Sequence, residues 1–128
     1  MLSHENIVDL HEVIDSRTHV HLIMELCDGK SLNHLVKKSK EQAECGIGEA
    51  RARKIFHQLL EAVAHMHERE VIHRDLKLDN ILIDGDDKLK LIDFGFATKC
   101  AKKEKMSNFC GTPQYLDPDL AMKKAYLG

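Results

Sequence analysis

No apolar run in this sequence reaches the roughly eighteen residues that a membrane-spanning helix needs. The start, MLSHENIVDL, has neither the basic nor the apolar region of a signal peptide. The chain is therefore expected to be intracellular and cytoplasmic, with no membrane as partner. An excess of one charge is also missing: 19 Lys and Arg stand against 21 Asp and Glu, a formal net charge of -2. That balance gives no footing for a nucleic-acid surface. The four cysteines, Cys27, Cys45, Cys100 and Cys110, include no C-x-x-C pair, which argues for free thiols over disulfides or a zinc site. His65 and His67 are close, but an i, i+2 pair on a helix points to different faces, so packing or surface roles are expected. There is no internal repeat and no linker. What is present is the composition of one globular domain, 128 residues with 43% hydrophobic and 31% charged.

Alternating apolar residues predict strands over residues 7–14 and 20–26, joined through Ser16 and Arg17 as a hairpin. Asp28 and Gly29 break that pattern, and a short helix follows with Ser31 as its N-cap. Residues 39–48 read as a polar loop. From Glu49 to Glu68, the residues Ile55, Phe56, Leu59, Leu60, Val63 and Met66 recur at helical spacing and define one broad buried stripe. Val71 and Ile72 read as a short strand, as do ILID and KLKLID on either side of the Gly85 turn. Residues 96–110 form a Lys-rich segment without periodicity, of a kind that often carries function.

Between the apolar pieces at 71–72 and 81–83 lies HRDLKLDN, residues 73–80. It places an imidazole, a guanidinium, two carboxylates, an ammonium and an amide in eight positions. A surface loop does not need support from core on both sides. A reacting anion and its metal do.

These residues carry a resemblance. His73, Arg74, Asp75, Leu76 and Asn80 fit H-R-D-L-x-x-x-N, and Asp93, Phe94 and Gly95 fit D-F-G, so the chain resembles the middle of a eukaryotic protein kinase domain. A surface ion-pair network is the plain alternative. Two ordered motifs, each beside an apolar strand, weigh against it, where D-F-G alone would be weak. The resemblance implies an α+β, protein-kinase-like fold. Residues 1–26 would be the end of the N-lobe, and 27–128 the hinge and the start of the helical C-lobe, with the catalytic loop and activation segment.

Roles follow from the general protein-kinase template, carried onto matching positions. The resemblance implies ATP and Mg2+ as cofactors and a protein Ser/Thr hydroxyl as substrate. Asp75 would accept the substrate's hydroxyl proton and orient its oxygen. Asp93 would hold magnesium between the phosphates, and Asn80 the second metal through its neutral oxygen. Lys77 would neutralise charge on the transferred group. Lys77 together with Thr112 in GTPQY resembles the serine/threonine kinases. In the hinge, Met24 would be the gatekeeper, the Glu25 carbonyl and Cys27 backbone groups would face the adenine edge, and Leu82 would form the floor. Leu10, Phe94 and His73 would stack as parts of the regulatory spine, with Leu10 also serving as core. Arg74 would pair with a phosphorylated residue set by an upstream kinase. Asn108 occupies the usual threonine position, so Ser107 is the nearest substitute and Thr98 a weaker one. Asp117, Pro118 and Asp119 stand where the family has A-P-E, which puts that motif's usual ion pair in question.

The resemblance covers the chain, but the chain covers about half of such a domain. The G-x-G at Gly46 to Gly48 has Arg51 where a third glycine would stand, and it is read as a loop between helices. There is no V-A-I-K lysine. A truncated part of a longer kinase chain is therefore expected, with a noncatalytic kinase-like or pseudokinase binding module as the alternative. HRDLKLDN and NFCGTPQYL look most like the calcium/calmodulin-dependent and AMP-activated-kinase-related group, with the AGC group next.

Overall fold

The computed structural model describes residues 2–41, 46–101, 105–106, 110–122 and 126–127. In chain order these form β1 (Leu10–Asp15), β2 (Val20–Met24), β3 (Lys30–Ser31), α1 (Leu32–Glu41), α2 (Glu49–Glu68), β4 (Val71–Ile72), β5 (Ile81–Ile83), β6 (Leu89–Leu91), β7 (Thr98–Lys99), β8 (Lys105–Met106), α3 (Pro118–Ala121) and β9 (Tyr126–Leu127). The mix of small sheets and helices is the expected α+β architecture. Among the described residues, no helix is long and apolar enough to cross a membrane, and no disulfide joins Cys27, Cys100 or Cys110. Cys45 and Ser107 lie outside the described residues.

β1 and β2 pair antiparallel, closed by the Ser16 hydroxyl donating to the His19 carbonyl at 2.7 Å. The register shifts between Leu10 and Glu12. That bulge puts Leu10, opposite Met24, on the same face as Val13, opposite Leu22, although the two are an odd number of residues apart. The hairpin is shorter than the alternation predicts. Ile7 leaves it to bridge Leu91 in parallel, and Leu26 lies past β2 with 93% exposure.

The core gathers Ile7, Leu32, Ile55, Ala62, Met66, Ile81, Ile83, Leu89 and Leu91. Its sheet runs β3-β5-β6, all antiparallel, while β4 pairs with β7. β3 can lie close against β5 because Gly29 precedes it: a Cβ there would come 2.8 Å from the Ile83 carbonyl oxygen. The outer edge of β6 would leave backbone groups unpaired. Side chains and the entering chain close it instead. The Leu91 amide donates to the Asn6 carbonyl at 2.8 Å, the Asn6 side-chain Nδ2 to the Leu89 carbonyl at 3.0 Å, and the Leu89 amide to the Gln58 side chain at 2.9 Å.

Ser31 caps α1 as expected, its hydroxyl accepting the His34 amide at 3.2 Å. The helix runs on through Glu41, past the expected loop start at 39, with Lys38 and Lys40 in its last turn opposing the helix dipole. α2 has the predicted bounds, but its buried face is rotated from the predicted stripe. Ile55, Ala62 and Met66 are buried, while Phe56 and Leu60 are 59% and 51% exposed. The rotation follows from Gln58, which must face β6 to serve Leu89, and from Ala62, small enough to let the helix approach. His65 packs against His4, ring centroids 4.8 Å apart. The segment predicted without periodicity contains β7 and β8.

Asn6→Ala should leave the Leu89 carbonyl without its side-chain donor and destabilise the fold by about 1–3 kcal/mol. Urea denaturation of the two proteins measures it, and equal midpoints would contradict the edge-closing role. Val13, Ile14, Val20, Leu22, Ile23 and Met24 are all between 44% and 62% exposed. Leaving such side chains uncovered forgoes up to roughly 1.5–3 kcal/mol each. Residues 1–128 expressed alone are expected to self-associate, and a monomer by light scattering with a cooperative thermal transition would contradict this.

Candidate active site

HRDLKLDN leaves β4 and enters β5, with residues 78–80 forming a 3₁₀ turn. Asn33 of α1 holds that turn from outside, its amide donating to the Asp79 carboxylate at 2.7 Å. Arg74 and Asp93 both have left-handed backbone, φ 65 and 62, which non-glycine residues adopt at a cost.

Asp75 is the centre of the cluster, with 2% of its side chain exposed. Its Oδ1 accepts the Thr112 hydroxyl at 2.7 Å, and its Oδ2 meets the Lys77 ammonium at 2.7 Å and the Asn80 amide at 3.1 Å. Lys77 also donates to the Thr112 hydroxyl at 3.0 Å, and Asn80 Nδ2 to the Asp75 carbonyl at 2.9 Å. Burial pushes the Asp75 carboxyl up, but the hydrogen bonds from Lys77 and Thr112, the Lys77 charge and the Asn80 amide outweigh it and hold the group below its ordinary value. Lys77 is raised in turn, first by its hydrogen bond to Asp75. His73 is buried, and burial lowers its pKa against the pull of the Ile92 carbonyl. Its Nδ1 accepts the Asp75 amide at 3.3 Å, so Nε2 carries the proton it gives to the Ile92 carbonyl at 3.1 Å.

The second motif is held beside the first. The Ile92 amide donates to the Asn80 carbonyl at 2.9 Å, and the Phe94 ring meets the His73 ring edge-on at 4.9 Å. Asp93 is exposed, with Oδ1 accepting the Gly95 amide at 3.2 Å. Asn80 spends only its nitrogen on Asp75. The two residues thus offer hard oxygen donors on neighbouring backbone. Among the described residues, no three His, Cys, Asp or Glu side chains form a metal site by themselves. A carboxylate and one amide oxygen suit a magnesium ion whose other ligands are phosphates and waters.

Asp93 and Met24 line one cavity of about 440 Å3 together with Leu2, Ile7, Val8, Leu10, Leu22, Phe94 and Gly95. Leu10 belongs to that wall with Phe94 but is 36% exposed, so the core reading of it does not hold. Glu25, Cys27 and Leu82 do not line the cavity. The Glu25 carboxylate pairs with Lys90 at 2.8 Å and accepts the Asp9 amide at 3.2 Å. The Lys90 hydrogen bond pulls its carboxyl below the ordinary value, against burial and with help from the Asp9 amide. The Cys27 carbonyl accepts the Gly29 amide at 3.2 Å, and burial followed by the Glu25 charge pushes its thiol up. Leu82 points away from buried Ile81 and Ile83, opposite Ser31 on one side and Lys90 on the other. Arg74 donates through Nε to the Phe96 carbonyl at 2.6 Å. The Asp119 amide donates to the Asp117 carboxylate at 2.8 Å at the start of α3.

The protein kinase domain family matches residues 1–128, and the chain belongs to that family. It is similar to sperm motility kinase 3A of Mus musculus, 41% identical over 128 residues, which is all of this chain and 24% of that protein. It is similar too to CBL-interacting serine/threonine-protein kinase 21 of Arabidopsis thaliana, 40% identical over all of this chain and 29% of that protein. The match to hormonally up-regulated neu tumor-associated kinase of Homo sapiens is 38% identical, over 98% of this chain and 17% of that protein. The chain thus spans under a third of the length of these relatives.

Sequence reasoning missed Asn33, the Glu25–Lys90 pair and Gly111. A glycine directly before Thr112 was the one visible signal. Thr112→Val removes a donor from Asp75, so the carboxyl should titrate higher in the variant. Because the folded pKa is depressed, ionised Asp75 contributes stability above its unfolded pKa and loses it as pH falls through the folded value. In Thr112→Val that loss should finish at higher pH. Carbon-13 NMR titration of the Asp75 carboxyl reads this directly, and an unchanged or lower pKa would contradict it.

Proposed function

We propose that this chain carries the catalytic loop, hinge and activation segment of a serine/threonine protein kinase that transfers the γ-phosphate of ATP to a protein hydroxyl. The observation that carries the reading is the buried Asp75 carboxylate held by Lys77, Asn80 and Thr112 within 3.1 Å. In this reading residues 1–26 end the N-lobe and residues 27–128 begin with the hinge.

Asp75 takes the hydroxyl proton on a carboxylate oxygen and holds the substrate oxygen in line for attack. The Lys77 and Thr112 hydrogen bonds that outweigh its burial favour the ionised carboxylate, the form that accepts a hydrogen bond from the substrate hydroxyl. Lys77, bonded to both Asp75 and Thr112, places a positive charge beside the transferred group. Thr112 fixes the carboxylate's rotation. Met24 at the cavity is the gatekeeper, and the Glu25 carbonyl, the Cys27 backbone amide and Leu82, which lie outside that cavity, are the groups assigned to the adenine edge and floor, the Cys27 carbonyl being engaged by Gly29. Asp93 and Asn80 would hold Mg2+, which supplies charge neutralisation at the phosphates when bound. In this reading Arg74 is the partner for a phosphate on the activation segment, with two branches open: an upstream kinase phosphorylates Ser107, or the segment is not phosphorylated at all. The relative named as a CBL-interacting serine/threonine-protein kinase supports the calcium/calmodulin-dependent and AMP-activated-kinase-related grouping.

The 128 residues contain no G-x-G-x-x-G and no V-A-I-K lysine. By themselves they are read as a kinase-like module that does not transfer phosphate. In the full-length protein, Asp75→Asn should lower kcat by about 10²–10⁴ with ATP affinity nearly unchanged. Asp93→Asn should instead weaken magnesium-dependent ATP binding by calorimetry. Near-wild-type turnover in the first variant, or unchanged ATP affinity in the second, would remove the corresponding assignment.

A further inference from the structure

Gly111 has φ 108, a backbone region that L side chains rarely adopt. A Cβ there would come 2.8 Å from the Arg74 carbonyl oxygen and 3.1 Å from Leu116 Cδ2. The leucine could rotate away. The carbonyl could not, because Arg74 is itself in left-handed backbone, its Nε is bound to the Phe96 carbonyl at 2.6 Å, and the next amide is bound to His73 at 3.3 Å. One residue after this close approach, the Thr112 hydroxyl reaches Asp75 at 2.7 Å and receives Lys77 at 3.0 Å.

We propose that Gly111 is a positioning residue for phosphotransfer: its missing side chain lets the activation segment lie against the Arg74 carbonyl, and that seat sets the Thr112 hydroxyl on Asp75. The inference rests on the reading of Asp75 as the group that receives the substrate proton. Gly111 touches no reacting atom and acts through Thr112. A side chain at this position lifts the segment from the catalytic loop, so that Asp75 loses a donor and Lys77 an acceptor. The hinge and Asp93 are on other segments, and nucleotide binding is left alone.

The test uses the full-length protein with Gly111→Ala, Thr112→Val, the double variant and Asp75→Asn. Gly111→Ala should lower kcat by about 10- to 100-fold, as a misplacement of about an ångström does. The KM for ATP should stay within about twofold, since the lost interaction belongs to the chemical step. Because both residues act through one hydroxyl, the double variant should be no slower than Thr112→Val. Wild-type kcat in Gly111→Ala, a loss that falls on the ATP KM, or additive losses in the double variant would each overturn the proposal. Gly111→Ala with Leu116→Ala relieves the contact at 3.1 Å and leaves only the carbonyl. It should show the same kcat loss relative to Leu116→Ala alone, and no loss there would also overturn the proposal. Asp75→Asn separates the two claims: near-wild-type turnover in it fails the reading of the site, whatever Gly111→Ala does.

Discussion

A carboxylate taken out of water is costly unless donors and positive charge replace the water it loses. Asp75, with 2% of its side chain exposed, sets that demand, and the surrounding chain is arranged to meet it. The replacements come from separate segments: Lys77 from the loop itself, Asn80 from the 3₁₀ turn, Thr112 from beyond β8. Removing any one leaves the burial in place and takes away part of the compensation. This is why a stretch so rich in charge lies between the apolar strands β4 and β5. The strands exclude the water, and the loop supplies what the water would have given.

The same demand explains two of the four non-glycine residues that have left-handed backbone among the described residues. Arg74 turns the chain so that His73 points inward and Asp75 follows it into the cluster; Asp93 turns the chain after β6 so that Phe94 meets the His73 ring. Such conformations persist only where the surroundings determine them more strongly than the local preference. Here the bracing is two strand pairs, β4 with β7 and β5 with β6, together with the Ile92 to Asn80 hydrogen bond that ties the two motifs. The neutral His73 imidazole spans the gap, accepting from one motif and donating to the other.

Much of this was legible from residue order. The strands around Gly85, the bounds of α2 and the Ser31 cap follow from local periodicity and capping chemistry, which act within a few residues. What escaped depends on partners distant in sequence. The stripe through Phe56 and Leu60 was a fair reading of α2 alone, but the helix is rotated by Gln58, whose partner Leu89 is 31 residues away. Asn6 closes the same edge from 83 residues away, and nothing in HENIV announces that its asparagine will substitute for a neighbouring strand. The candidate cluster was legible because its members lie in short ordered motifs, HRDLKLDN and GTPQY. Gly111 was not, because its role is an approach to a backbone carbonyl, and a carbonyl has no letter in a sequence.

The β1–β2 hairpin stands in a different energetic position from the site beside it. None of its residues is buried, so packing does not fix where it sits. Its place is set by polar ties at its base: the Ile7–Leu91 bridge, the Val8 amide to the Leu91 carbonyl at 3.0 Å, and the Glu25–Lys90 ion pair. A partly exposed ion pair contributes about 0.2–1 kcal/mol. Elements held by few apolar contacts open at lower cost than the core does. The cavity is walled by Leu10, Leu22 and Met24 of this hairpin on one side and by Phe94 and Asp93 on the other, so the less firmly held element forms one of its walls. Lys90 lies opposite Leu82 in the β5–β6 pair, so the tie that holds the hairpin attaches to the strand leading into Asp93. That strand runs on to Ile92, whose amide is bound to the Asn80 carbonyl at 2.9 Å, so the hairpin, Asp93 and the Asp75 cluster meet along one short stretch of backbone.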